Sequence, residues 1–467
     1  MGGAFGFGLK RTIKELYTFL VNNYDPGDQI YLFGFSRGAC TVRLLARMIK
    51  TCGILKKSIY INKSDEDLES DVEKVYRCLQ DSITKEKKLA NVKTPSEQSQ
   101  TTRPPINKSS TNALPPEKLP KDFHSQKEIR FMGVWDTVDA YAIPSDRLAK
   151  ILDKFLYISF REHDNKLSKN VESACHALSI DDQRRTFEPV LWRENPKNND
   201  HERIKQVWFS GAHANVGGGY PKQGLAWNTM EWMMLHAKQA GLRFVKEDID
   251  QFTENKNVQG KMYDSRSGLG AYYTFKPRNI NKLWKEYASK STKPEIHISV
   301  FERIATRAED YAPRNLPEKF NIDTSQLINS DDNNPEIQPG DHLAQYREKD
   351  INKLRKQISK ALKNLNKNQT PLSLFNQVTD FIHYRSSYFI HYRSSYFFFV
   401  GILIIWSGGY FLYDRNVITF ITAIVLSILY WFTLWKLSQR EEITNNKIHS
   451  ARWRKISSNK AWDFLRQ

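Results

Sequence analysis

An α/β fold built on a mostly parallel sheet with flanking helices is predicted for residues 1–320, and three patterns predict it. Helical stripes alternate with short apolar runs, three of those runs open into polar loops, and the first such loop holds a serine between two glycines. Residues 8–24 place Ile13, Leu16, Leu20 and Tyr24 on one helical face. DPGD at 25–28 turns the chain, because proline fixes φ and glycine permits the reversal. QIYLFGF (29–35) then reads as a buried strand, and ACTVRLLARMIKTCG (39–53) as a helix stopped by Gly53. EIRFMGVWD, ending at Asp136, and IKQVWF (204–209) repeat the strand-to-loop pattern. LAWNTMEWMMLHAKQAGLRF (225–244) is a helix with Gly241 as its C-cap. The carboxyl ends of parallel strands are where α/β proteins build their sites.

Other segments break this rhythm. Residues 56–128 are polar and read as an insertion: 94–122, rich in Pro, Ser, Thr and Lys, as disordered, and VEKVYRCLQDSITKEKK (72–88) as a helix. Residues 321–380 form a linker and a basic amphipathic helix, with Ile351, Leu354, Ile358, Leu362 and Leu365 on one face. That helix fits equally a membrane surface or packing on its own domain. FIHYRSSY at 381–388 recurs unchanged at 389–396. Two apolar stretches, 397–413 and 417–437, approach or reach the ~20 residues that cross a bilayer, so 381–437 is expected to hold the repeat followed by a two-helix transmembrane hairpin. Arg385 and Arg393 before it, and Lys436, Arg440, Arg452 and Arg454 after it, put both flanks on the cytoplasmic side, including the basic tail 438–467.

The formal net charge of +18 over 467 residues favours polyanions, either nucleic acid or anionic headgroups. No module with interleaved aromatic and basic residues is recognisable, so no nucleic-acid partner is expected. Cys40, Cys52, Cys78 and Cys175 form no C-x-x-C pair and lie at no metal-ligand spacing from a histidine. They read as small buried thiols; neither disulfide nor metal nor cofactor is expected. The start, MGGAFGFGLKR, lacks the charged and apolar regions of a signal peptide, and Gly6 stands where a myristoylation motif needs Ser or Thr.

The chemistry begins at GFSRG. A nucleophile on a tight strand-to-helix turn needs small neighbours, which Gly34 and Gly38 supply around Ser36. It also needs a base to take its proton and a carboxylate to orient that base. Asp136 and His213 stand on the loops after the second and third apolar runs, in the order serine, acid, histidine. His176 with Asp181 or Asp182, and His297, are rival partners, ranked lower because VESACHALSI reads as helix-like and IHISV as a strand or late helix. Arg37, Arg184 and Arg185 are candidates to steer a phosphate headgroup.

GFSRGA, GVWDTV, HALSIDDQRRTFEPVLW (176–192), VWFSGAHANVGGGYP, YDSRSGLGAYY (263–273) and HISVFERI (297–304) closely resemble the α/β-hydrolase domain of type VI secretion lipase effectors of the first family. The resemblance runs from about residue 3 to 320, apart from the insertion. It implies an α/β-hydrolase-like fold and phospholipase or lipid-esterase activity, with nucleophile Ser36, acid Asp136, base His213, and the backbone N–H of Arg37 as an oxyanion donor. Such domains open with a strand ending in an Asp-Gly-Thr-like loop that supplies a second donor; this sequence begins after it. Relatives more often carry an acidic residue where Asn215 stands. The expectation is a membrane-associated serine hydrolase of lipid or phospholipid acyl esters, working through an acyl-enzyme, with an immunity or delivery protein left open as a partner. The alternatives are a catalytically silent membrane-bound protein of the same fold, a fragment of an active hydrolase, and a soluble esterase.

Overall fold

A computed structural model describes residues 5–92, 120, 122–124, 128–138, 165–194, 200–267, 273–287, 292–313, 315–325, 354–356 and 358. Among them, six strands form one parallel sheet in sequence order: β1 (Tyr31–Phe35), β2 (Ile129–Trp135), β3 (Val171–Ser179), β4 (Ile204–Phe209), β5 (Glu295–His297) and β6 (Asn321–Asp323). The register decides where the loops emerge. Phe35 lies opposite Trp135, and Trp135 opposite Ala177. Ser36 and Asp136, each one residue further on, therefore leave the sheet at the same level. Ser179 lies opposite Phe209, so the β4 loop that carries His213 starts slightly higher.

Both faces of the sheet are covered, as parallel sheets require. Met132, Val134 and Ala174 point into a core shared with α1 (Phe5–Asn23), α2 (Arg37–Cys52) and α3 (Asp65–Val92). Phe131, Trp135, Cys175, Ala177, Val207 and Phe209 point the other way, against Trp232, Met233 and Ala237. Those three lie on a later helix, Gly224–Gln239. The last strands pack with the helices Ile280–Tyr287 and Ile298–Ala305 around Trp208, Trp284 and Phe301.

One expectation is extended and another corrected. The helix expected over 72–88 is present and begins earlier: α3 runs for 28 residues from Asp65 and buries Leu68, Val72, Val75, Leu79 and Ile83 against α1 and α2. Its apolar stripe is three to four residues apart among many acids and lysines, so the average polarity hid the first turns. A reciprocal capping box starts the helix, with the Asp67 N–H donating to Ser64 Oγ at 3.3 Å and the Ser64 N–H donating to Asp67 Oδ2 at 3.1 Å. Second, VESACHALS is not helix-like but β3, a central strand. Its alanines and cysteine let helices approach from both sides, and burial overrides their weak strand propensity. Leu354 and Ile358, on the expected basic helix, are wholly buried against the last strands' core. Among the described residues no helix is long and apolar enough to cross a membrane. The repeat, both apolar stretches, the tail and residues 93–119 lie outside the described residues.

A polar cluster at the far strands couples the fold to pH. Burial, helped by Asp323 and opposed by Lys205, pushes the Glu295 carboxyl up to about 7. An acid whose folded pKa exceeds its unfolded value, about 4.3, binds more protons folded, so its contribution declines as pH rises through 7. Between pH 5 and 8 the melting temperature of the parent is expected to fall relative to that of Glu295→Gln. Identical slopes in thermal scans of the two proteins would refute this.

Candidate active site

The serine sits where the strand-to-helix turn forces it. Ser36 adopts φ 59° and ψ −122°, a strained conformation, and α2 starts at the next residue. Its two glycines are not equivalent. A Cβ on Gly34 would lie 2.5 Å from the Gly38 carbonyl oxygen and 2.7 Å from the Ala39 nitrogen, backbone atoms that cannot step aside. A Cβ on Gly38 would meet nothing within 4 Å. Room for a side chain is thus lacking at Gly34 and present at Gly38. Gly34→Ala is expected to abolish accumulation of folded protein, whereas Gly38→Ala should fold normally; circular dichroism and thermal melts of the pair test this.

Three strand ends converge here. His213 opens the short helix His213–Gly217 after β4, and its Nε2 lies 2.7 Å from Ser36 Oγ. On the other side its Nδ1 lies 2.6 Å from Asp136 Oδ2. An ionised carboxylate only accepts, so Nδ1 carries the hydrogen and Nε2 presents its lone pair to the serine hydroxyl. Asp136 and His213 are buried, while Ser36 is half-buried and open to an approaching molecule. Phe35 and Phe187 pack their rings on the imidazole, with centroids 4.5 and 5.0 Å away. Gly217 holds Phe35 there: a Cβ on it would fall 2.1 Å from the Phe35 ring.

Asp136 is wholly buried, yet it is held as a carboxylate. Burial pushes its pKa up, but Arg278 and His213 outweigh burial and keep it well below the usual carboxylate range. Arg278 bonds both oxygens, Nη1 to Oδ1 at 2.6 Å and Nη2 to Oδ2 at 2.7 Å. The same two nitrogens donate to the carbonyls of Ser179 and Phe187. The Ser179 N–H adds a fourth bond to the carboxylate at 3.0 Å. Arg278 was not singled out in the sequence. It lies in KPRN, five residues beyond the quoted YDSRSGLGAYY, and a lone loop arginine has no spacing signature.

The other candidates take supporting places. Asp182 accepts the backbone N–H of His213 at 3.2 Å and is held by Arg184. Arg184 stacks on Phe187, 3.5 Å from its centroid, and so is committed inside the loop rather than presented to a phosphate. The Arg185 backbone N–H donates to the Thr274 carbonyl. Arg37 is exposed beside the serine, and its N–H is the first of α2, where the helix presents the positive end of its dipole. His176 accepts the Thr137 N–H at 3.1 Å, and burial, with Arg43, pushes it down to about 3, leaving it neutral beneath the acid's loop. His297 caps the Ile298–Ala305 helix by accepting the Ser299 N–H, and stacks on Phe209. Asp181 accepts the N–H of Gly211 and the Tyr311 hydroxyl. Asn215 bonds the Ala212 and Tyr263 N–H groups and the Lys261 carbonyl, fastening the histidine turn to residues 261–263. Among the described residues no group of three His, Cys, Asp or Glu could hold a metal ion.

Comparison with known proteins gives the site a setting. Residues 1–236 match the family model of the type VI secretion system phospholipase effector Tle1-like catalytic domain. An uncharacterized protein of Saccharomyces cerevisiae is 29% identical over 194 residues, 41% of this chain and 23% of the relative. An uncharacterized protein from Pseudomonas aeruginosa, known from its crystal structure, aligns over 66% of this chain and 36% of its own at 16% identity and a TM-score of 0.23. The chain thus spans less than a quarter of the yeast relative and about a third of the solved chain.

Proposed function

We propose a serine-dependent hydrolysis of lipid acyl esters for this chain, which belongs to the family of type VI secretion Tle1-like phospholipase effector catalytic domains. The observation that supports the reading best is the unbroken relay from Ser36 Oγ through His213 to Asp136, drawn from the loops after β1, β2 and β4 at the carboxyl ends of one sheet. Ser36 Oγ attacks the ester carbonyl while His213 Nε2 takes its proton, and Asp136 holds the imidazole in the required tautomer. The N–H of Arg37, at the start of α2, stabilises the oxyanion. The tetrahedral adduct collapses as His213 returns the proton to the leaving alcohol. Water, deprotonated by the same imidazole, then cleaves the acyl-enzyme to fatty acid and free serine.

The chemistry specifies the products. Phospholipid vesicles incubated with the full chain should release fatty acid and lysophospholipid, and added methanol should divert part of the acyl group to its methyl ester. Release of phosphorylated headgroup without fatty acid would exclude the mechanism.

We further propose that the apolar stretches 397–413 and 417–437 anchor the chain in a bilayer, with the hydrolase and the basic tail on the cytoplasmic side. The anchor places the serine beside its substrate. Alkaline carbonate extraction of expressing cells should leave the protein in the pellet; complete release into the supernatant would eliminate the anchor.

A further inference from the structure

We propose that Arg278 sets the working pH of this site: its guanidinium, bonded to both oxygens of Asp136, offsets the negative charge that would otherwise favour a protonated His213, and so keeps the imidazole a base in more acidic surroundings. The proposal rests on the nucleophile reading of Ser36.

Charge counting carries it. With His213 neutral, the buried trio of Arg278, Asp136 and His213 sums to zero. Once the imidazole is protonated, the trio carries a net positive charge where Asp136 is wholly buried and Arg278 and His213 nearly so. An aspartate–histidine pair without the arginine has the opposite balance, charged when the histidine is neutral and compensated when it is protonated. Arg278 therefore reverses which state a low-dielectric site prefers.

The surrounding charges do not supply a substitute. Asp182, from the loop after β3, is tied to Arg184. Glu188, on the same loop, pairs with Lys276 beside Arg278. Asp181 is bonded by Tyr311 and the Gly211 N–H, with Arg303 near it. Arg303 in turn pairs with Glu309. His176, from β3 below, has Arg43 of α2 beside it and is neutral. Each carboxylate facing the trio thus has its own cation or hydrogen-bond donors, which leaves Arg278 as the cation bonded to Asp136.

Arg278 acts through the aspartate and imidazole, so it is a positioning residue, and the pH profile separates that role from a purely architectural one. The probe is a soluble fluorophosphonate, whose second-order rate of attachment to the full chain is followed from pH 4.5 to 9. In Arg278→Gln and Arg278→Met the acidic limb should move up by about one pH unit, so that at pH 5 each loses about tenfold more rate, relative to its own plateau, than the parent. Arg278→Lys keeps the charge but not the fork; its limb should lie near the parent's while its plateau drops. A folded, labelled neutral variant whose limb coincides with the parent's would overturn the proposal. Failure of both neutral variants to fold would assign Arg278 to the architecture and overturn it too. Absence of labelling in the parent would instead sink the nucleophile reading and this inference with it.

Discussion

Ser36→Ala should fold like the parent and lose ester turnover by about 10⁴-fold or more. The hydroxyl it removes lies 2.7 Å from His213 Nε2 and, with Asp136, completes the relay. Without the attacking oxygen the imidazole has nothing to deprotonate, and only ground-state binding and the oxyanion donor remain to assist water. The fold should tolerate the change, because Ser36 makes no side-chain cap bond to α2 and is half-exposed. The strained φ of 59° applies to serine and alanine alike. Turnover of a chromogenic short-chain ester, measured beside a thermal melt, checks both statements. An unchanged rate in a folded variant would contradict the assignment.

Asp136→Asn should damage both chemistry and stability. The carboxylate accepts from His213 Nδ1, both Arg278 nitrogens and the Ser179 N–H. An amide oxygen takes about two such bonds, and the amide nitrogen would point a donor at another donor. If the oxygen faces Arg278, the imidazole loses the acceptor that fixes its tautomer, which in a comparable triad costs on the order of 10⁴-fold in turnover. If it faces His213, the arginine is left under-bonded. Either way Arg278 becomes a buried cation without a counter-ion, a loss on the order of 3–5 kcal/mol. Urea unfolding should show a lower midpoint with an unchanged slope, and ester turnover should fall by the stated factor. A variant as stable as the parent would mean that the Arg278 charge is compensated elsewhere.

Much of the site was legible because the sheet is parallel and its loops are punctuated. Ser36, Asp136 and His213 each follow a short apolar run, and parallel register brings the first two runs to a common level. The apolar face of α3 could be read only in part, because acids and lysines diluted its stripe, and the helix extends upstream to Asp65. β3 was misread because alanine, leucine and glutamate suit a helix locally, while its conformation is set by neighbours distant in sequence. Arg278 stayed hidden for a related reason: its role depends on a carboxylate 142 residues away, with no local pattern to announce it. The two glycines around the serine look alike in the motif and differ only in what surrounds them in space.

Peptide mapping of the full-length protein after exposure to a fluorophosphonate addresses the nucleophile most directly. One covalent adduct is expected, on Ser36, formed more slowly as the pH falls and not formed after heat denaturation. A folded protein that takes up no phosphonyl group, or takes it up at another residue while Ser36 stays unmodified, would contradict the assignment of this serine as the attacking group.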